Sequence, residues 1–387
     1  IFQNDNGVLT QIGNDIDGAS NWSKSGHSIS LSSDGNIVAI GAYKESPPHP
    51  ENQFYLGGRA RIYQNDNGSW KQIGSAFDGA NGDSLGYSVS LSSDGSIVAI
   101  GSIWANTDSS DENYATASDV GSVKIYQNDN GNWTQIGKDI FGDARWDNLG
   151  RSVSLSSDGS IVAAGAYNST AGDNAGYVKI YKNDNGNWTQ IGDDIKGETE
   201  GDRSGHSISL SSDGSIVAIG APRNDGKGAD SGHVRIFQNI EGKWEQIGED
   251  INGEAGGDLS GYSVSLSDDG SIVAIGAYGN DGNGLERGHV RIYNSVFNTY
   301  QNIYENDLEI ATYTATDVDA GDMVKWSLSG VDASLFDVSS EGVLKFKSAP
   351  DHETPLGGSN DNSNVYSLEL IATDLGGNSD IKDLTIN

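Results

Sequence analysis

The stretch Ser204-Gly205-His206-Ser207-Ile208-Ser209-Leu210-Ser211-Ser212-Asp213-Gly214-Ser215-Ile216-Val217-Ala218-Ile219-Gly220-Ala221 contains two strand patterns joined by one turn. Ser207 to Ser211 alternates polar and apolar, as a half-buried strand does, and Ile216 to Ala221 is a continuous apolar run suited to a strand covered on both faces. Ser212-Asp213-Gly214 between them places glycine where a tight hairpin needs positive φ. Near-copies begin at Gly26, Gly86, Gly150, Gly205 and Gly261, spaced by 60, 64, 55 and 56 residues. One unit is therefore repeated five times.

Each unit reads as four strands, here a to d. The quoted stretch gives strands a and b; Val-Lys-Ile-Tyr or Val-Arg-Ile-Tyr gives c, and Trp-Thr-Gln-Ile-Gly after Asn-Asp-Asn-Gly gives d. Four antiparallel strands per repeat without helical periodicity predict the blades of a β-propeller. The chain opens inside a unit at strand c, and its last unit lacks a clear strand d. A five-bladed ring is expected, with residues 8–13 supplying the missing outer strand, and six- and seven-bladed rings are the alternatives.

Composition agrees with many short strands and tight turns: 387 residues include 53 glycines and 6 prolines. Lys plus Arg total 23 against 55 Asp plus Glu, a formal charge of -32 that repels phosphate backbones and anionic membranes. Nucleic acid is thus excluded as a partner, and no apolar run is long enough for a membrane helix. With no cysteine, hard oxygen ligands are the natural metal chemistry, and Ca2+ is the expected cofactor.

The repeat resembles the FG-GAP repeat of integrin-α-type propellers and bacterial surface proteins, best in Ser204 to Leu210 followed by Gly220-Ala221-Pro222. From residue 297 the wording changes. Ala315-Thr316-Asp317-Val318-Asp319, Trp326 to Gly330, Gly342 to Phe346, Asp351-His352-Glu353 and Ile371-Ala372-Thr373-Asp374 resemble a bacterial cadherin-like domain. The two resemblances imply an all-β chain: an FG-GAP-type propeller over 1–296 and a cadherin-like Greek-key sandwich over 297–387.

The cadherin resemblance implies calcium ligands Glu305, Asp351 and Glu353 at one pole, and Asp317, Asp319 and Asp374 at the other. Asp225, Asp230 and Asp281 fall where integrin propellers carry calcium loops. Two long connections between strands b and c carry Phe54 and Tyr55, and Trp104 and Tyr114, as candidate partner anchors. Repeated Trp70, Trp133, Trp188 and Trp244 read as packing between outer strands, with sugar stacking as the sharper alternative. His27 and His206 share a position with Tyr87, Arg151 and Tyr262, and read as surface strand residues.

No catalytic constellation breaks the repeat. The expected function is a non-catalytic adhesion and structural module of a bacterial surface protein, extracellular or on the cell surface, stabilised by calcium and assembling end to end with copies of itself or other surface domains. The alternatives are a soluble module binding carbohydrate (glycans) or protein through the propeller loops, and an accessory region of a secreted enzyme.

Overall fold

The computed structural model describes residues 1–5, 7–45, 57–106, 119–168, 174–282, 287–294, 299–301, 308–312, 325–349, 366–373 and 379–386. It is all-β, and divides into Ile1–Asn294 and Ser295–Asn387.

The first unit is a five-bladed β-propeller. Its strands a are Ser28–Leu31, Leu85–Leu91, Ser152–Leu155, Ser207–Leu210 and Ser260–Leu266; strands b are Ile37–Ala42, Ile97–Ser102, Ile161–Ala166, Ile216–Ala221 and Ile272–Ala277. Strands c are Arg59–Asp66, Ser122–Asp129, Tyr177–Asp184, His233–Ile240 and His289–Asn294. The first four blades add strands d: Ser69–Gln72, Asn132–Gln135, Asn187–Gln190 and Lys243–Gln246. The first four blades run antiparallel in the order a-b-c-d, each with a further two-residue strand paired to c, and among the described residues the fifth blade has strands a, b and c.

The serines of the repeat motif tie the blades together. Ser88, Ser152 and Ser207 Oγ donate to Gly150, Gly205 and Gly261 O of the next blade at 2.8 Å. The second serine of each of the first four motifs accepts from the next blade's leucine N–H, as Ser154 Oγ does from Leu210 at 3.0 Å. The glycine of Gly-Ala is required by close approach: a Cβ on Gly220 would lie 2.1 Å from Gly261 O. The core sits between blades, where Val178, Ile180 and Ile195 of the third meet Ile208, Leu210, Val217 and Ile219 of the fourth. The repeated tryptophans latch the outer strands, since Trp70, Trp133, Trp188 and Trp244 donate their indole N–H to Ile12, Ile73, Ile136 and Ile191 O at 2.9, 3.2, 3.0 and 3.0 Å. Packing is their role.

One expectation is corrected. Among the described residues Val8–Gln11 pairs with Phe2–Asp5 alone, and Trp70 fixes this hairpin beside the first blade; it does not complete the fifth. The flanking faces are open: Ile29, Leu31, Val290 and Ile292 are 66%, 47%, 69% and 71% exposed, whereas Leu91, Leu155 and Leu210, which match Leu31, are each 7% exposed.

The second unit has two sheets. Thr299–Gln301, Ser379–Ile386, Tyr366–Thr373 and Lys325–Ser329 form one, and Glu309–Thr312, Val343–Phe346 and Phe336–Val338 the other. Ile310, Phe336, Leu344 and Phe346 from one sheet pack against Tyr366, Leu368, Leu370, Leu384 and Ile386 from the other, so the unit is a sandwich around one core.

Candidate functional site

Four positions of each repeat gather at one end of the inner strands. The first lies two residues before the motif glycine and adopts positive φ: Lys24, Ser84, Asn148, Arg203 and Leu259, at 55° to 58°. The second follows that glycine: His27, Tyr87, Arg151, His206 and Tyr262. The third and fourth close strand b: Tyr43, Ile103, Tyr167, Pro222 and Tyr278, then Lys44, Trp104, Asn168, Arg223 and Gly279. Backbone bonds fix the fourth beside the first, as Arg223 N donates to Asp202 O at 3.2 Å and Trp104 N to Asp83 O at 3.1 Å.

In the chain these residues are some 55 to 64 positions apart between units; in the fold they make one continuous cluster of rings and cations. His27 lies 4.5 Å from Tyr43 and 4.7 Å from Tyr87, centre to centre. Arg151 stacks over Tyr87 at 4.9 Å and Tyr167 at 5.5 Å, and Arg203 over Tyr167 at 5.6 Å. His206 lies 4.5 Å from Tyr262, itself 4.5 Å from Tyr278. A pocket of about 240 Å³ opens here, lined by Tyr87, Arg151, Tyr167, Arg203, His206, Pro222, Arg223, Leu259, Tyr262 and Tyr278.

Electrostatics set this pocket apart from the rest of the molecule. None of the four positions in any unit is acidic, in a chain with 55 acidic residues. Arg151 Nη2 donates to His206 Nε2 at 2.6 Å, which fixes a neutral imidazole with its proton on Nδ1. Burial, then the charges of Arg151 and other arginines, push His206 down to about 3. Burial and then Arg223 likewise lower the Arg203 guanidinium from its ordinary value. The Asp230 carboxylate, 4.0 Å from Arg223 Nε, offsets part of this charge from the rim. An arrangement of planar cations against aromatic faces can hold a carboxylate or phosphate by paired N–H bonds and a small ring by stacking.

The sequence reading missed this site and took His206 as a surface strand residue; it is 8% exposed, because the inner strands of successive blades lie side by side. A signal existed: three arginines enter slots that are neutral in most units, and acids are missing from all of them.

The other expected residues divide. Trp104 is 42% exposed and holds the fourth of these positions in the second blade; Phe54, Tyr55 and Tyr114 lie outside the described residues. Asp225 Oδ1 accepts from Asp230 N at 2.9 Å, but no third carboxylate or imidazole joins this pair among the described residues. Asp281 is exposed on the matching loop of the fifth blade. Glu305, Asp317, Asp319, Asp351, Glu353 and Asp374 lie outside the described residues. The aspartates of the a–b turns are turn formers: Asp213 Oδ1 accepts from Ser215 N at 2.9 Å and Ser211 Oγ at 2.7 Å.

No curated protein matches this chain. Two solved structures similar to it are a periplasmic gluconolactonase of Pseudomonas aeruginosa (16% identity, 96% of this chain and 90% of that chain, TM-score 0.45) and a protein of Bacteroides uniformis assigned as a 6-phosphogluconolactonase (14% identity, 94% and 86%, TM-score 0.43). Both are named as enzymes, which stands against the expectation of a non-catalytic adhesion module that assembles end to end. The specific activities belong to those proteins, since likeness at this level transfers neither substrate nor residue roles. The FG-GAP repeat family matches residues 252–293, the stretch that holds the three strands of the fifth blade, so the five-bladed propeller is similar there to FG-GAP repeats.

Proposed function

We propose that the propeller binds a compact organic anion of the sugar-acid or sugar-phosphate class in the pocket of Arg151, Arg203, Arg223 and His206. The observation that carries this reading is the convergence of three guanidiniums on one pocket, those of Arg151 and Arg203 stacked on tyrosine faces, inside a molecule of charge -32. A cavity of about 240 Å³ suits a ligand of one ring or fewer, and the aromatic walls favour a sugar ring over a bare ion. Guanidiniums also stabilise the oxyanion formed when an ester or lactone opens, so hydrolysis of a sugar lactone is the catalytic form of the same reading. The test is calorimetric titration with gluconate, 6-phosphogluconate and glucose, with lactone hydrolysis followed in parallel at constant pH. Binding of the anions and not of glucose, weakened by Arg203→Ala, is expected; equal affinity for glucose would reject the proposal.

We propose further that the second unit is a cadherin-like sandwich, a reading supported by the seven strands of its described residues, in two sheets around one core. Ca2+ would then be held by Asp317, Asp319 and Asp374 at one pole and Glu305, Asp351 and Glu353 at the other. Carboxylate sites of this kind in extracellular modules fill at about 0.1–1 mM calcium, which fits an extracellular or periplasmic location. Loss of the calcium-induced rise in melting temperature in Asp317→Asn/Asp319→Asn tests the assignment; an unchanged rise would contradict it.

A further inference from the structure

His233 is the first residue of strand c in the fourth blade and is 1% exposed. Neither ring nitrogen has a hydrogen-bond partner. Its Nδ1 is aimed at carboxylates, 3.8 Å from Asp250 Oδ2 and 3.9 Å from Glu198 Oε2. Ligand atoms of Glu198, Asp202 and His233 all lie within 4.8 Å of one another. A buried imidazole without a partner, facing oxygens just beyond hydrogen-bond reach, has the geometry of a ligand set spaced around an ion.

We propose that Glu198, Asp202 and His233, with Asp250 beside them, form a site for one divalent transition-metal ion of the Zn2+ type. Atoms 3.8–3.9 Å apart are a little wider than the ~3.3–3.6 Å between ligands of a tetrahedral ion with bonds of ~2.0–2.2 Å, a gap that small rotations of the partly exposed Glu198 and Asp250 side chains close. The nitrogen ligand selects such an ion over Ca2+ and Mg2+, which take oxygen.

Supporting bonds orient the carboxylates. Asp202 Oδ2 accepts from Thr199 N at 2.9 Å and Asn224 Nδ2 at 3.1 Å, and Oδ1 accepts from Thr199 Oγ1 at 2.5 Å with a lone pair left over. Asp250 Oδ1 is held by Gln246 Nε2 at 2.8 Å, leaving Oδ2 to face His233. Arg235 Nη1 is 3.6 Å from Glu198 Oε1, but the guanidinium is anchored by its Nη2 on Lys196 O at 2.6 Å. Three carboxylates against that one guanidinium leave two negative charges for a divalent ion.

Neighbouring repeats show the same slot closed in other ways. In the third blade Tyr177 Oη donates to Asp147 Oδ2 at 2.7 Å. In the fifth, His289 Nδ1 lies 3.6 Å from Glu254 Oε2, but Glu254 also pairs with Arg291 and the His289 side chain is 25% exposed, open to water where His233 is not. The fourth blade combines a buried imidazole with carboxylates that no tyrosine fills.

The test is titration of the full chain with ZnCl2 against a chromophoric chelator, in ~0.15 M salt to screen the acidic surface. One equivalent is expected to bind, at least ~10-fold more weakly in His233→Gln and unchanged in His289→Gln, because loss of a direct ligand costs at least as much as loss of a supporting partner. Coincident curves for wild type and His233→Gln would overturn the proposal, as would displacement of Zn2+ by equimolar Ca2+. Should His233→Gln not fold, imidazole 15N spectra of the wild type decide. A Zn2+-induced shift of His233 Nδ1 supports the site, and an unmoved signal overturns it.

Discussion

His206 combines burial with a guanidinium 2.6 Å from Nε2, so the fold holds its imidazole neutral down to about pH 3. In the unfolded chain an ordinary histidine protonates near pH 6.5. Between those values the unfolded state binds the extra proton, so stability is full above pH 6.5 and falls on acidification toward pH 3. The slope from this one group is up to about 1.4 kcal/mol per pH unit. Urea unfolding of wild type and His206→Gln from pH 7 to 4 should show a steeper acid loss in the wild type; parallel curves would mean that His206 is open to solvent. Arg203→Ala, one slot away, removes a charge whose desolvation the pocket already opposes. It should leave the fold intact while weakening anion binding by about 1.5–3 kcal/mol, the usual range for a hydrogen bond to a charged group.

Strands, hairpins and their repetition were legible at the element scale because each is a local signal. Ile216 to Ala221 is apolar throughout and lies between blades; Gly214 has φ of 70° in the turn where the sequence requires it. The tryptophans also read correctly as packing, though their indole bonds to the preceding blade could not be seen in one dimension. Trp188→Phe should cost about 1 kcal/mol for the bond to Ile136 O, and Trp188→Ala about 3 kcal/mol or more, measured by chemical denaturation. Equal losses in the two variants would mean the bond contributes and the ring does not. The pocket was illegible for the opposite reason. Arg151, Arg203 and Tyr87 belong to three repeats, and a search for nucleophile motifs within one repeat passes over residues that become neighbours only when blades stack. The open sides of the first and fifth blades were hidden as well, since Leu31 and Leu155 occupy the same place in the motif and differ only in whether a blade covers them.

That difference makes an expectation for the propeller as a whole. Leu155→Ala should cost about 2–5 kcal/mol through the cavity left between blades, whereas Leu31→Ala, at 47% exposure, should cost less than about 1 kcal/mol. Similar losses by thermal unfolding would show that the first blade is covered in solution. Charge acts at this scale too. With -32 spread over the chain, an anionic ligand is repelled everywhere except at the arginine cluster, so added salt has two opposed effects on its capture: it screens the general repulsion and the local attraction alike. A calorimetric titration of 6-phosphogluconate into wild type and Arg151→Ala/Arg203→Ala, at ~0.15 M salt and pH 7, tests the central claim most directly. Saturable binding near one equivalent, lost in the double variant with its fold intact, is the expected result. No heat in the wild type, or the same isotherm in both proteins, would contradict it.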